Sequence, residues 1–181
     1  MATRARERLL ATADELFYTE GIRAVGVERL LEVSGVGRAS FYRHFAGKED
    51  LVLAVLRERH DQFREWIQAV VAAGGGDPLA IFDELGDRFS AAEFRGCAFI
   101  NAMVEDADPG NPVHRLATEH KEWVAGYLTT LLRSAGHAGA EQLAEQFLLL
   151  IDGAHVAALR TRSAAPATQV RAIAERLLEG T

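Results

Sequence analysis

The sequence predicts an all-α fold of about nine helices, and three observations carry this. Apolar residues recur three and four positions apart in segment after segment. No segment alternates apolar and polar residues at the period of a strand. The breaks fall at glycine-rich and proline-containing clusters, with the four prolines near apparent helix starts.

The first helix is expected over residues 3–20, with Leu9, Ala13, Leu16 and Phe17 as its apolar stripe and Gly21 as its end. Two short helices follow, at 27–34 and 37–45. Gly35 divides them, because a residue without Cβ takes positive φ at little cost. The fourth helix begins at Lys48 and continues to residue 73, with Leu51, Val55, Leu56, Phe63, Trp66, Ile67 and Val70 at helical spacing. Roughly 25 residues at 1.5 Å each make it some 35–40 Å long. It therefore leaves a first domain, residues 1–50, and enters a second, residues 51–181. Gly74-Gly75-Gly76 stops it. Asp77-Pro78 reads as an N-cap with proline in the first turn of a helix over 78–90. Further helices are expected over 96–106, from Asn111-Pro112 to 134, over 141–162 and over 166–179.

Residues 26–51 are the most informative stretch. They give two short helices, a tight turn and the start of a third helix, with the helix-turn-helix at about 26–45. Phe41 and Phe45 lie four apart and face the core. Ala39 and Arg43 then point away, flanked by Arg38, Ser40 and Tyr42. An outward face with donors, a cation and a phenol suits a helix laid in the DNA major groove. Lys48 adds a cation where a helix N-terminus already favours anions.

The stretch resembles the helix-turn-helix of the TetR family of transcriptional regulators. Gly21, Gly35-Val36, Phe41-Tyr42-Arg43-His44-Phe45, and Lys48 followed by Glu49 and Leu51 carry the resemblance, which is strong over about the first 60 residues. Three positions depart from the usual pattern. Gly26 and Gly37 stand where Ser or Thr commonly starts a helix, and Leu31 where a small residue is common. Glycine is a tolerable N-cap, weaker than a hydroxyl by a few tenths of a kcal/mol. The resemblance implies that Tyr42, His44 and Lys48 meet the DNA backbone, with Gly37, Arg38, Ala39, Ser40 and Arg43 completing the contact surface. It also implies a homodimer through the last two helices, reading a pseudo-palindromic double-stranded operator. The stretch 95–105, with Gly96-Cys97 and Asn101, resembles a common subgroup of the family.

Composition agrees with a soluble globular chain: 49% apolar and 25% charged residues. The formal charge of −6 looks wrong for a DNA binder until it is divided. Residues 1–50 hold eight basic and eight acidic side chains, and the rest holds 12 basic and 18 acidic ones. The acidity belongs to the second domain, and a local basic surface sets phosphate affinity. No apolar run approaches the roughly 20 residues of a membrane span. The N-terminal Arg4, Arg6 and Arg8 are followed too soon by Asp14 and Glu15 for a secretory signal, and the single Cys97, which has no internal disulfide partner, suits a reducing cytoplasm, so a cytoplasmic, nucleoid-associated protein is expected. Those arginines are read either as backbone or minor-groove contacts or as a disordered charged terminus.

The second domain is rich in aromatic residues that form core or line a cavity. Asn101, Glu105, His120, Asp152 and His155 lie in or beside apolar stretches and need partners if buried. Asn101, Trp123, Tyr127 and His155 are the candidates for a ligand pocket, against the alternative of ordinary core hydrogen bonds. Leu143, Phe147, Leu150, Ile151, Ala154 and Ala158 form one stripe, with Gly153 and Ala157 small enough for close helix approach. Val170, Ile173, Ala174, Leu177 and Leu178 form its companion, and the pair suggests self-association, against the alternative of packing within one chain. His114 and His120 are six apart and share no helix face, so no metal site is expected. No cofactor is expected either. Cys97, the single cysteine, reads as a buried structural thiol.

No nucleophile elbow, phosphate-binding loop or dinucleotide glycine motif is present, which argues against an enzyme. The leading reading is a repressor released from DNA by a small hydrophobic or amphipathic effector. A non-switching DNA-binding or architectural dimer is the alternative, and an activator is a variant of the first.

Overall fold

The computed structural model describes residues 2–180, and among them it contains nine α-helices and no strand. They are α1 (Ala2–Glu20), α2 (Val27–Ser34), α3 (Arg38–His44), α4 (Lys48–Ala73), α5 (Ala80–Ser90), α6 (Ala98–Glu105), α7 (Pro112–Ser134), α8 (Ala140–Thr161) and α9 (Ala165–Glu179).

The boundaries that differ from expectation have local causes. Gly37 caps α3 in an extended conformation (φ −68°, ψ 147°), so the helix proper starts at Arg38. Asp77 does not cap α5 directly. Its Oδ1 accepts the Leu79 N–H at 2.8 Å, and residues 77–79 make a turn before the helix begins at Ala80. Gly96 has φ of +86°, a conformation no residue inside an α-helix takes, and α6 begins two residues later than expected. Elsewhere the sequence signals hold. Asn111 Oδ1 accepts the Val113 N–H at 2.7 Å and opens α7. Asp50 reaches back from the first turn of α4 to accept the Ala46 N–H at 3.1 Å. Gly35, left-handed at φ 62°, ends α2.

The chain forms two compact units. One comprises residues 1–61 and 98–118, the other residues 62–97 and 119–181. The N-terminal unit takes in the first half of α4, all of α6 and the first turns of α7.

In the first unit α1 packs on α2 and α3. Leu9, Ala13, Leu30, Phe41 and Leu51 are fully buried, with Phe17, Val36 and Phe45 closing the core. Val33 of α2 faces solvent, and Ser34 is buried in its place. The buried hydroxyl oxygen accepts the Val36 N–H at 3.3 Å. Arg4, Arg6 and Arg8 are residues of α1 and not a disordered terminus, and the Arg6 guanidinium lies 5.6 Å above the Phe45 ring.

In the second unit α9 packs against α5 and α8, and α5 against α8. The core joins Ile67, Phe82, Leu85, Leu128, Leu132, Phe147 and Ile151, with Phe82 and Phe147 edge to face at 5.2 Å. The α8 stripe proposed for self-association is mostly inside this core. Leu143, Phe147, Ile151, Ala154 and Ala158 are buried within the unit. The apolar residues left outward on α8 are Leu149 (72% exposed), Val156 (58%) and Leu159, beside exposed Gly153. On α9 the outward residue is Ile173. No helix among the described residues is long and apolar enough to cross a membrane.

Candidate nucleic-acid interface

Helix α3 has seven residues, too few to be stable alone, so packing must hold it. Phe41 and Phe45 provide that, with rings 6.1 Å apart and both buried. Their spacing turns Ala39 and Arg43 to solvent and leaves Ser40 at the margin. Tyr42 is 51% exposed, its ring held edge-on to Phe41 at 5.1 Å. One side of the helix is therefore clamped by aromatic packing while the other presents a phenol and a guanidinium.

Arg38 is exposed but paired with Glu28 of α2. To engage another anion it would exchange that carboxylate, and a solvated pair of this kind gives way at a cost of about 1 kcal/mol or less. His44 is half-buried, and its Nε2 is shut from solvent with no hydrogen-bond partner. Gly37 has open space where a Cβ would stand. Lys48, the first residue of α4, is half-buried. Burial pushes its ammonium below the usual lysine range, and the Glu105 carboxylate offsets part of that effect.

The four residues proposed for a ligand pocket occupy three different settings. Asn101 belongs to the first unit, where it lines a cavity of about 20 Å³ with Phe17, Tyr18, Val55, Arg59 and Glu105. That is room for a water molecule, far below the roughly 300 Å³ at which small-molecule sites begin. Trp123 and Tyr127 belong to the second unit and stack on each other at 5.4 Å, with the Arg64 guanidinium 5.1 Å from the Trp123 ring. Burial raises the Tyr127 phenol. His155 lies beside Phe89 and Phe94, at 5.2 and 6.1 Å between ring centres. Its Nδ1–H donates to the Ile151 carbonyl at 2.8 Å, which leaves Nε2 as an acceptor. Burial pushes its pKa down to about 4, so the ring is neutral at physiological pH.

Several polar residues in apolar stretches have protein partners. Asp152 accepts from Lys121 at 2.5 Å. Glu105 accepts the Ile22 and Arg23 amides at 2.9 and 2.6 Å. Arg88, which the sequence did not single out, lies 4.4 Å above Trp66. Cys97 is half-buried rather than buried. Among the described residues no cluster of three or more His, Cys, Asp or Glu side chains is arranged to hold a metal.

An all-helical chain with an outward, aromatic-braced second helix of a helix-turn-helix is the architecture of a bacterial DNA-binding regulator. Comparison with known proteins makes the class specific. Residues 9–55 match the family model described as "Bacterial regulatory proteins, tetR family". A TetR-family transcriptional regulator from Streptomyces coelicolor, SCO4454, is 34% identical, with a TM-score of 0.92 over 98% of this chain and 96% of that one. The transcriptional regulator LmrA of Bacillus subtilis is 25% identical over 97% of each chain. The reduced form of NemR from Escherichia coli shares the fold, with a TM-score of 0.85 at 23% identity over 95% of this chain and 96% of that one. The chain belongs to the TetR family of transcriptional regulators.

Proposed function

We propose that this regulator is a repressor that holds a pseudo-palindromic operator as a homodimer and releases it when a small hydrophobic or amphipathic effector binds its C-terminal helices. The observation that carries the reading is the two-sided α3: Phe41 and Phe45 buried, Tyr42 and Arg43 presented. In this reading Tyr42, His44 and Lys48 contact phosphates, with Gly37, Arg38, Ala39, Ser40 and Arg43 on the same surface. Contact by His44 would require its buried Nε2 to turn out, or its other ring nitrogen to serve. The outward Leu149, Val156 and Ile173 support a dimer through α8 and α9. The partly buried aromatics of the second unit, Phe63, Trp66, Trp123 and Tyr127, support an apolar effector. Repression is the sense carried by the name of NemR, a transcriptional repressor 27% identical over 57% of this chain. The chain is read as a cytoplasmic, nucleoid-associated regulator without catalytic activity.

Effector action in this scheme is a linkage. The effector must prefer a conformation the operator does not, and the operator then weakens effector binding by the same factor. Selection of bound duplexes from a random pool, read by sequencing, tests the reading. A palindromic motif is expected, and its release then screens effectors. Failure to enrich any motif at low salt would overturn the specific operator reader and favour a non-switching DNA-binding dimer.

A further inference from the structure

We propose that Glu105, at the end of α6, is a positioning residue for DNA binding: its carboxylate clamps the turn between α1 and α2 and thereby sets the angle of the reading head. The inference rests on the operator-binding function above. The turn is built for the contact. Gly21 ends α1 at φ +96°, and a Cβ there would stand 3.4 Å from Glu105 Oε1. The amides of Ile22 and Arg23 then point the same way, and each meets one carboxylate oxygen, at 2.9 and 2.6 Å. Bonds from amides to an ionised acceptor are about twice as strong as neutral ones. Partners 82 and 83 residues apart in sequence are thus joined through a single side chain.

The same carboxylate acts on Lys48, the residue placed at the phosphate backbone. Its bonds hold the turn before α2, and its charge favours the ammonium at the start of α4. Beside it the packing is incomplete: the cavity lined by Phe17, Arg59, Asn101 and Glu105 leaves room for a water molecule. A joint made of two directional bonds next to a void has slack that a close-packed one lacks. Any shift of α6 is passed to the Ile22–Arg23 turn through those bonds.

The test combines amide hydrogen exchange with operator affinity in the full-length chain. Glu105→Gln keeps the shape but turns an NH2 toward one of the two amides. Exchange at Ile22 and Arg23 should quicken about tenfold or more while amides of α8 keep their rates, and operator affinity should fall about tenfold. Gly21→Ala strains the same turn through its φ of +96° and should lower affinity likewise. Unchanged exchange at Ile22 and Arg23 in Glu105→Gln would overturn the clamp. Faster exchange with unchanged affinity in both variants would overturn the positioning role. A wild-type chain that binds no DNA would instead remove the function on which the inference rests, a result distinct from either because the exchange rates report on the clamp without DNA.

Discussion

Asp14 of α1 accepts a hydrogen bond from the Arg59 guanidinium of α4, and that same guanidinium lies 4.4 Å above the Tyr18 ring. The pair fastens the long helix to the first one, four residues upstream of where the ring packs. Arg59 is about one-quarter exposed and Asp14 rather more, so solvent screens the charge term. Arg59→Ala should cost about 1 kcal/mol, the ring contact contributing as much as the charge. Urea unfolding in high salt checks this, because the cost should persist when the ion pair is screened.

Backbone and base contacts should separate in DNA binding. Tyr42→Ala and Lys48→Ala should weaken binding to all duplexes alike. Lys48→Ala should also reduce the slope of log affinity against log salt by about 1. If Arg43 reads a guanine, Arg43→Ala should relax preference at one position at a cost of about 1–3 kcal/mol. Titrations of selected and scrambled duplexes across a salt series distinguish the two patterns.

Gly37→Ser should be gained without a clash. The site has the extended backbone of an N-cap and open space around the Cβ position. A hydroxyl there satisfies an orphan amide of α3 and should add a few tenths of a kcal/mol over glycine. It also places a donor beside the proposed phosphate path. A higher melting temperature with tighter DNA binding is expected, and a lower melting temperature would show that the α3 start does not accept a cap.

His155 gives the second unit an acid sensitivity of known sign. Its folded pKa of about 4 lies below the ordinary value of 6.5, so the fold favours the neutral ring. No stability is lost above pH 6.5. Between there and about pH 4 the unfolded chain takes up a proton that the folded chain refuses, a loss of roughly 3 kcal/mol. Denaturant titrations from pH 7 to 4 should show this loss in the wild type, and a smaller one in His155→Leu.

The outward α8 residues make the dimer testable. Leu149→Arg places a charge on the exposed apolar face without entering the core. Sedimentation at micromolar concentration should report a monomer with native helicity, and operator affinity should collapse. A dimer that survives this change and Val156→Arg would put the interface elsewhere.

The sequence made local geometry readable where spacing alone decides it. Phe41 and Phe45, four apart, had to share a face, and Gly35 had to stand at a turn. Spacing does not reveal what covers a face. The α8 stripe from Leu143 to Ala158 was placed at a partner helix, yet α5 and α9 cover much of it within the same unit. Contacts between distant segments were invisible for a simpler reason. Glu105 stood out as a charge beside apolar residues, but nothing local could name Ile22 and Arg23 as its donors. Asn101, beside an apolar stretch, and Trp123, on a candidate inner face, read as lining one pocket, and the two belong to different units.

The unit that carries α3 is discontinuous in sequence, since residues 98–118 complete it. Its reading head is therefore not a cassette that can be cut free after α4. A fusion ending near residue 61 would strip the Ile22 and Arg23 amides of their acceptor and open Phe17 and Val55 to water. Exchange of specificity between relatives should succeed when the graft carries both stretches, or when only the outward residues of α3 are replaced.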